Sequence, residues 1–461
     1  MGWEDYQRQN FSNQSMAGKK KARAAILTVV LLGLVLVMAA DLDELSVQVR
    51  DSLASEKYLS QDHEVARKEK DKSFLEKPFD QFMKLEDLSS APKVVKVRHH
   101  QDDYLFRLSF DTDLQNFIQK KLERYRVDWA GVSVIEPSTG SILALASYSK
   151  VEPERDKLYA KSIFPAASVF KIVTAAAAIE EGGLTEHSRI VYAGYPQKLH
   201  KKYLGLRGGT ELSLAKAFAL SANGIFGAIG SKYLTESDLQ KYADGMGFNE
   251  KIPFDFDIDQ SQMRVGQKQG DVFERAKLAA GFGKVTLSPL HGAMIAGAVI
   301  NQGQMMQPYL VENVYKKNGQ LAYQHQIQSW KQSMDASSAK SLQKMMRRTV
   351  ESGTAKRSFR SLLEKKYFQN FELGGKTGSL TSKDPHGRNE WFVGYAGDQN
   401  NQIAFGMVIT SEKYWKVKPA ELARQVVQYY FTRGEQDSSS EEEVAFIGPM
   451  KESSYGEKQK S

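Results

Sequence analysis

Alternation of apolar and polar residues predicts two pairs of strands before residue 150. The paired runs are 93–98 with 104–110 and 130–135 with 141–147. A polar stretch at 99–103 and a turn at 137–140 are typical hairpin connections. Between the two pairs, residues 114–125 place apolar side chains at helical spacing and predict an amphipathic helix.

The middle of the chain is predicted to be helical. Residues 168–181 are alanine-rich, and the glycines Gly182 and Gly183 behind them are typical of a helix C-terminus. Strand patterns return only at 391–396 and 403–409. The predicted order, with strands at the start, helices in the middle and strands again at the end, favours an α+β fold. In such a fold, helices flank an antiparallel β-sheet and an all-helical lobe is inserted.

One apolar run predicts a transmembrane helix at 24–40. It is uncharged, rich in Leu and Val, and about 17 residues long, which is close to the minimum that spans a bilayer. A basic run at 19–23 precedes it and acids follow at 41–44, so the positive-inside rule predicts a cytoplasmic tail at 1–23 and an exported remainder. A cleaved signal peptide with its cleavage site near 37–39 and a buried soluble helix are the alternatives.

Composition narrows the possible functions. The chain has 461 residues, of which 41% are apolar, enough for one large core or two ordinary ones. The absence of cysteine excludes disulfides, thiolate metal sites and a thiol nucleophile. The net charge is +8, but Lys and Arg are scattered among nearly as many acids, so no nucleic-acid partner is predicted. The histidines lack metal-ligand spacing, and neither a metal nor a cofactor is predicted.

The distribution of charged residues after the apolar run at 24–40 predicts three further segments. Residues 41–110 are predicted to form a stalk or short pedestal, because most of this range is charged and lacks apolar periodicity. Residues 111–432 are predicted to form the main domain. The segment 433–461 is rich in Ser, Glu and Lys and is predicted to be a disordered tail.

The first of three short motifs is Ser168-Val169-Phe170-Lys171. A serine hydroxyl must lose its proton as it attacks, and a lysine kept neutral by burial can take that proton. At the start of a helix the two side chains share a face, and the free N–H groups there suit an oxyanion. The same spacing recurs elsewhere in the chain, but only here does it open an almost uncharged helix that must be buried.

The second motif is Ser221-Ala222-Asn223, which follows an apolar helical stretch. A second hydroxyl can relay a proton to a leaving group, and an amide can orient both a lysine and a substrate. Alone, the motif is equally typical of a helix cap.

The third motif is Lys376-Thr377-Gly378-Ser379, which follows Gly374 and Gly375. A strand with a cation and hydroxyls can hold a carboxylate. The glycine allows a substrate backbone to approach, and the next N–H can complete an oxyanion hole. Alone, this motif is also compatible with an ordinary edge strand and turn.

In this order the three motifs resemble those of the penicillin-binding proteins, within the serine penicillin-recognising family. The similarity extends to 134–147, 281–290, 352–355 and 391–395, and it covers about residues 110–412. The resemblance implies a β-lactamase/transpeptidase-like fold. It further implies a class B-like, monofunctional D,D-transpeptidase that cross-links peptidoglycan stem peptides and is acylated by β-lactams.

The resemblance also implies catalytic roles for four residues. Ser168 would attack the penultimate D-Ala carbonyl of a stem peptide, with Lys171 as the base. Ser221 would shuttle the proton, and Asn223 would orient the substrate.

Substrate-binding roles follow in the same way for the third motif. Lys376 and Thr377 would bind the terminal carboxylate, and the N–H groups of Ser168 and Ser379 would form the oxyanion hole. Gly378 would let the substrate backbone approach. The implied setting is the cytoplasmic membrane, with one span, a periplasmic catalytic domain and a membrane glycan polymerase as partner.

Two departures and three alternatives accompany the resemblance. The family usually has Pro-Gly directly before the serine, where this chain has Ala166 and Ala167. The stretch before residue 110 is too short for a glycosyltransferase domain, so a bifunctional synthase is not expected. A D,D-carboxypeptidase, a class D-like β-lactamase, and a non-catalytic β-lactam sensor or cell-wall scaffold remain open.

Overall fold

The computed structural model describes residues 79–88, 92–265, 270–414, 416–433 and 444–447, which fall in one compact unit of the chain. Within these ranges no helix has the length and apolarity needed to cross a membrane. The predicted transmembrane segment at 24–40 and the predicted cytoplasmic tail at 1–23 lie outside the described residues, and both stay predictions.

Strands and helices are numbered separately, each in chain order. The strands are β1 (Val94–His99), β2 (Asp102–Leu108), β3 (Trp129–Ile135), β4 (Ile142–Ser149), β5 (Phe164–Pro165), β6 (Arg189–Tyr192), β7 (Thr210–Ser213), β8 (Met263–Arg264), β9 (Lys284–Leu287), β10 (Gln304–Met306), β11 (Val311–Lys316), β12 (Leu321–Gln324), β13 (Ser329–Gln332), β14 (Glu372–Lys383), β15 (His386–Gly397), β16 (Gln402–Ser411) and β17 (Val444–Ile447). The helices are α1 (Thr112–Tyr125), α2 (Lys171–Glu180), α3 (Leu214–Ala219), α4 (Asn223–Lys232), α5 (Glu236–Gly245), α6 (Val272–Ala279), α7 (Pro289–Ile300), α8 (Ala336–Glu351), α9 (Lys356–Leu363) and α10 (Pro419–Thr432).

An antiparallel sheet in the order β14-β15-β16-β3-β4 forms the centre of the fold. β3 is buried at every position, because helices cover both faces of this sheet. On one face, Val408 of β16 shares a core with Leu290 of α7. On the other face, Phe405 shares a core with Ile118 of α1 and Val426 of α10. The predicted α+β fold with an antiparallel sheet flanked by helices is confirmed.

An inserted lobe lies between β4 and β14, as predicted, and contains most of the helices. Its central helix α2 is buried from Lys171 to Ala178, which explains the alanine-rich sequence, because small side chains let neighbouring elements pack closely. The lobe is not all-helical, however. The short pairs β6–β7 and β5–β9 lie within it. Strands of two to four residues are too short for hydrophobic periodicity to reveal them.

A second sheet, in the order β12-β11-β2-β1-β17, lies beside the lobe. The predicted hairpin of β1 and β2 is confirmed and starts with Val94 opposite Arg107. β11 and β12 were not predicted, because they are short and their pairing shifts register between Val314 and Tyr315. Phe79 and Phe106, within the predicted stalk at 41–110, belong to the same hydrophobic core as the lobe.

Besides Arg433, which pairs with Asp111, four residues of the segment predicted to be a disordered tail are ordered. β17 lies in the range 433–461 and pairs in parallel with β1, with Val444 opposite Val94. The prediction of disorder was wrong for these four residues because it rested on the average composition of the tail, in which 444–447 (Val-Ala-Phe-Ile) is a local apolar exception.

Candidate active site

Ser168 lies in a short 3-10 turn, Ala167–Phe170, between β5 and α2. The α-helix that was predicted to begin at 168 begins at Lys171 instead. The difference arises because Ala167 has a φ of 50°, in the left-handed region that an α-helix excludes, so the chain bends before it becomes helical. The family's usual glycine would adopt this φ without strain.

Replacing Ala167 with glycine is expected to raise the free energy of unfolding by about 0.5–1 kcal/mol. An alanine in the left-handed region costs roughly 1–2 kcal/mol, and the greater freedom of glycine in the unfolded chain offsets part of the relief. Ala166, with an ordinary φ of −62°, is the matched control, and Ala166→Gly should lower stability. Urea denaturation of the purified chain measures both changes. A stability loss in Ala167→Gly equal to that of the control would contradict the strain.

The amine of Lys171 lies within hydrogen-bonding distance of three oxygens. Its Nζ is 2.8 Å from Ser168 Oγ, 2.8 Å from Asn223 Oδ1 and 2.5 Å from Ala280 O. The side chain is fully buried, and none of these three partners carries a charge. Burial, together with repulsion from Lys376, holds the pKa of Lys171 well below its ordinary value.

A neutral amine matches these three oxygens. Asn223 Oδ1 and Ala280 O can only accept, and a neutral amine has two N–H bonds to donate to them. Its lone pair is then left for the third partner, the hydroxyl of Ser168. Lys171 is therefore placed to withdraw the proton of Ser168 as a general base.

The carbonyl of Ala280 is held in place by the turn that begins at Gly281. Gly281 has a φ of +86°, and a Cβ on it would lie 2.2 Å from the backbone oxygen of Ala167. Only glycine fits there, so this turn rests directly against the residue before the nucleophile. Sequence reasoning noted Gly281 and Gly283 but missed Ala280, because residue type does not reveal the partner of a backbone carbonyl.

The second motif lies at the junction of α3 and α4. Ser221 has a φ of 53°, and Asn223 is the first residue of α4. Ser221 Oγ accepts a hydrogen bond from Lys376 Nζ at 3.1 Å. Among the described residues, no hydrogen bond joins Ser221 to Ser168 or Lys171. The structure therefore brings Asn223 to Lys171, and Ser221 to Lys376.

The third motif lies on β14, the edge strand of the central sheet. A Cβ on Gly378 would lie 3.3 Å from Ala166 O, so the strand runs close to the 3-10 turn that contains Ser168. The indole N–H of Trp391, on β15, donates to Pro165 O at 2.9 Å. The edge strand β14 therefore lies close to the turn that carries Ser168, and the neighbouring strand β15 is hydrogen-bonded to the end of β5, directly before that turn.

Lys376 is the second buried amine of the site. Its Nζ donates to Ser221 Oγ and, at 2.8 Å, to Thr377 O. Burial lowers the pKa of Lys376 to about 7. Burial and the charge of Lys376 both lower the pKa of Lys171, so Lys171 is the amine that gives up its proton more readily. Lys376 is therefore the amine that holds the positive charge more readily.

Thr377 is paired with a residue to which the sequence assigned no role. Thr377 Oγ1 and Thr354 Oγ1 are 2.6 Å apart, and the Thr354 N–H donates to Ala219 O at 3.0 Å. Because one hydroxyl donates to the other, one hydroxyl proton of the pair stays available for a ligand. Thr354 lies in the segment 352–355, whose resemblance to the family was the only signal that pointed to it.

The candidate residues line one cleft of about 370 Å³. The predicted residues that line it are Ser168, Ser221, Asn223, Thr377, Gly378 and Ser379, while Lys171 and Lys376 are fully buried and do not line it. The remaining lining residues, which had no assigned role, are Thr354, Ser358, Arg388, Glu390, Trp391, Lys418, Pro419 and Ala420.

Arg388 adds a second cation at the β14 side of the cleft. Its Nε donates to Ser379 Oγ at 2.7 Å and lies 3.6 Å from Glu390. Glu390 is the only carboxylate among the described residues that line this cleft. With Lys376 and the Thr377 hydroxyl, this end of the cleft suits a ligand carboxylate. Sequence reasoning missed Arg388 because it belongs to β15, outside every motif.

Comparison with known proteins gives a family-level match. The model of the penicillin binding protein transpeptidase domain matches residues 130–428. The chain is 25% identical over 316 residues to stage V sporulation protein D of Bacillus subtilis, covering 62% of this chain and 46% of that protein. It is 27% identical over 217 residues to the peptidoglycan D,D-transpeptidase PbpA of Mycolicibacterium smegmatis, covering 40% and 43%. The chain thus spans less than half the length of these two relatives.

Solved structures share the fold. The D,D-transpeptidase domain of a peptidoglycan glycosyltransferase from Eggerthella lenta superposes with a TM-score of 0.60 at 24% identity, covering 71% of this chain and 82% of that chain. The penicillin G acyl-enzyme complex of penicillin-binding protein A from Mycobacterium tuberculosis gives 0.56 at 20% identity, covering 72% and 80%. At these identities the likeness establishes the α+β transpeptidase fold.

Proposed function

Because the chain belongs to the penicillin-binding protein transpeptidase family, we propose that it is a peptidoglycan D,D-transpeptidase that cross-links stem peptides through an acyl-enzyme on Ser168. The observation that carries this proposal is the 2.8 Å contact between Ser168 Oγ and the buried amine of Lys171. A hydroxyl that touches a neutral amine, inside a cleft with a carboxylate-binding end, is equipped for acyl transfer.

The acylation step follows from this contact. Lys171 takes the proton of Ser168 as Oγ attacks the penultimate D-Ala carbonyl of the donor stem peptide. The N–H groups of Ser168 and Ser379 are proposed to stabilise the oxyanion of the tetrahedral intermediate. The peptide bond then breaks, and the terminal D-Ala leaves with a proton. Ser221, bonded to Lys376, is the hydroxyl proposed to deliver that proton.

The carboxylate of the terminal D-Ala is proposed to bind at the β14 side of the cleft. Lys376 supplies the charge, and the linked hydroxyls of Thr377 and Thr354 supply a donor. A ligand carboxylate beside Lys376 would stabilise the protonated form of Lys376. The bound donor peptide would thereby help to keep Lys376 charged and Lys171 neutral.

Transfer to an amine separates this proposal from its nearest rivals. In a transpeptidase, the amine of a second stem peptide attacks the Ser168 ester, which leaves a new amide bond and regenerates the hydroxyl. In a D,D-carboxypeptidase water attacks instead, and in a β-lactamase water rapidly releases the acylated drug. A sensor or scaffold would not turn over any peptide.

One experiment tells these functions apart. The purified full-length chain is incubated with a donor peptide ending in D-Ala-D-Ala and an acceptor peptide with a free side-chain amine, and mass spectrometry follows the products. A cross-linked product that a β-lactam suppresses is expected. Shortened donor alone would indicate a carboxypeptidase. An unchanged donor together with rapid release of the β-lactam label would indicate a β-lactamase, and an unchanged donor without such release would indicate a non-catalytic role.

Replacing Lys376 with glutamine is expected to shift the acidic limb of the acylation profile to higher pH. Acylation needs neutral Lys171, so its rate falls as pH drops below the pKa of Lys171. Removing the neighbouring cation removes a cause that lowers this pKa, so the pKa should rise. The second-order rate of β-lactam acylation, measured between about pH 5 and 9, reports the limb.

Lys344 supplies the control for this pH measurement. It is a surface lysine that pairs with Glu186, outside the cleft, and Lys344→Gln should leave the acidic limb in place. An unshifted limb in Lys376→Gln, or an equal shift in both variants, would contradict the coupling of the two buried amines.

The cellular setting is proposed from the apolar segment at 24–40 and the family. We propose a single-pass protein of the cytoplasmic membrane, with its catalytic domain in the periplasm, that works beside a membrane glycan polymerase. β-Lactams would act as covalent inhibitors by acylating Ser168.

A further inference from the structure

A loop beside the cleft carries a concentration of positive charge that the proposed mechanism does not use. This basic loop, residues 193–210, contains Lys198, Lys201, Lys202 and Arg207 and has neither Asp nor Glu. Four cations without an acid amount to half of the net charge of +8 of the whole chain. A solvated surface usually mixes both signs, so an acid-free stretch of this length calls for a function.

The basic loop has a fixed shape. It joins β6 to β7, whose antiparallel pairing closes its ends with Tyr192 opposite Thr210. The buried ring of Tyr192 lies inside the loop, and its hydroxyl accepts from the His200 N–H at 2.8 Å and donates to Lys198 O at 3.1 Å. The loop therefore presents its side chains from a preformed backbone, which limits the entropy lost when a ligand binds.

Two backbone carbonyls attach the basic loop to the wall of the cleft. Gly224 N–H donates to Pro196 O at 2.7 Å, and Asn223 Nδ2 donates to Gln197 O at 3.1 Å. The same Asn223 amide accepts from Lys171 through its oxygen and lines the cleft. The loop thus begins where the substrate is proposed to lie, with one carboxamide between it and the general base.

The side chains that flank this attachment are accessible. Tyr195, directly before Pro196, is 64% exposed, and all four cations of the basic loop are exposed. Within the part of the chain that the structure describes, none of the four forms an ion pair. Cations without a carboxylate partner, grouped on one loop beside a cleft, create a positive potential that attracts and orients anionic ligands.

We propose that the basic loop binds the acidic part of a peptide substrate, namely a stem peptide with carboxylates beyond its D-Ala-D-Ala end. This inference rests on the proposed function and adds a specificity-determining surface to it. A peptide is favoured over an anionic lipid surface because the loop is attached to Asn223, at the wall of the cleft that the peptide must occupy.

Two donor peptides and one set of substitutions test the proposal. The donors share the D-Ala-D-Ala end, and one carries free side-chain carboxylates that are amidated in the other. In the full-length chain, combined replacement of Lys198, Lys201, Lys202 and Arg207 with glutamine should lower kcat/KM for the acidic donor about tenfold at low salt, through KM. The amidated donor should change less than about twofold, and about 1 M salt should remove the difference.

A matched variant controls for net charge. Glutamine at four other exposed lysines outside the cleft, Lys120, Lys317, Lys365 and Lys366, changes the charge equally and should leave the acidic donor unaffected. An equal loss for both donors in the loop variant, or an equal loss in the control variant, would overturn the proposal. A loss of binding to vesicles containing anionic lipid, with peptide kinetics intact, would reassign the loop to the membrane surface.

Binding without turnover separates this proposal from the proposed function. Fluorescence anisotropy of the labelled acidic peptide on the Ser168→Ala chain needs no acyl-enzyme and should show the same preference over the amidated peptide. If no peptide is turned over but this preference exists and the loop variant lacks it, the loop proposal stands and the enzyme proposal fails. If peptide is turned over but the chain shows no preference for the acidic peptide, the enzyme proposal stands and the loop proposal fails.

Discussion

Ser168→Ala is expected to abolish covalent labelling of the chain by a fluorescent penicillin. In the proposed mechanism the ester to the drug forms on Ser168 Oγ, and an alanine offers no oxygen to acylate. The substitution removes one hydroxyl from a partly exposed side chain, so the fold should persist with little change. Gel fluorescence after incubation with the drug measures the label, and circular dichroism checks the fold.

Ser213 supplies the matched control, because Ser213 and Lys216 repeat the spacing of Ser168 and Lys171. The hydroxyl of Ser213 is engaged in accepting from the Lys216 N–H as the N-cap of α3. Ser213→Ala should lose some stability but label fully. Persistent labelling of Ser168→Ala at the level of the unsubstituted chain would place the nucleophile elsewhere and refute the mechanism.

Replacing Lys171 with methionine is expected to slow acylation by a β-lactam about 10³-fold or more, which is the upper part of the range for loss of a general base. Methionine retains the length and packing of a fully buried side chain but cannot accept the proton of Ser168. Lys171→Ala should be equally slow, with an added loss of stability from the cavity that it leaves. Stopped-flow or quenched labelling gives the rate constant.

Near-normal acylation in both Lys171 variants would remove Lys171 from the mechanism as the general base. Lys216→Met is the corresponding control. Its amine lies on the short helix α3, outside the cleft lining, and the acylation rate should not change.

The central sheet and the helices around it were largely predictable from sequence, because a buried strand such as β3 and an amphipathic helix such as α1 repeat their apolar positions over many residues. The second sheet was not predictable in full. β11 and β12 are short and bulged, and β17 pairs with β1 across most of the chain length, which local periodicity does not encode.

The contacts within the candidate site were also predictable only in part. The motifs indicated that Ser168 and Lys171 would meet, since they lie three positions apart in the sequence. They did not indicate that a left-handed Ala167 and a 3-10 turn would bring them together. The contacts of Lys171 with Ala280, and of Thr377 with Thr354, join segments far apart in sequence. Such contacts depend on how the backbone folds, and residue types alone do not specify them.

For Ser221 and Asn223, the catalytic roles were predicted from the family resemblance and not from their spacing in the sequence. A serine and an asparagine after a helix are compatible with a simple cap, yet α4 is preceded by Ala222, which offers no capping side chain. In the structure, Asn223 instead accepts a hydrogen bond from the Lys171 amine, and Ser221 accepts one from the Lys376 amine. Their catalytic roles stay predictions.

Burying Lys171 and Lys376 in one cleft makes the ligand-free protein sensitive to acid. Both amines hold a proton less readily in the folded chain than in the unfolded one, where the pKa lies near 10.5. Protons therefore bind preferentially to the unfolded chain, and stability declines as pH falls from that value toward the pKa of Lys376, about 7. An anionic ligand opposes this effect, since its charge compensates an ammonium group for which the described residues supply no carboxylate partner. The ligand-bound protein should then tolerate acid better than the ligand-free one.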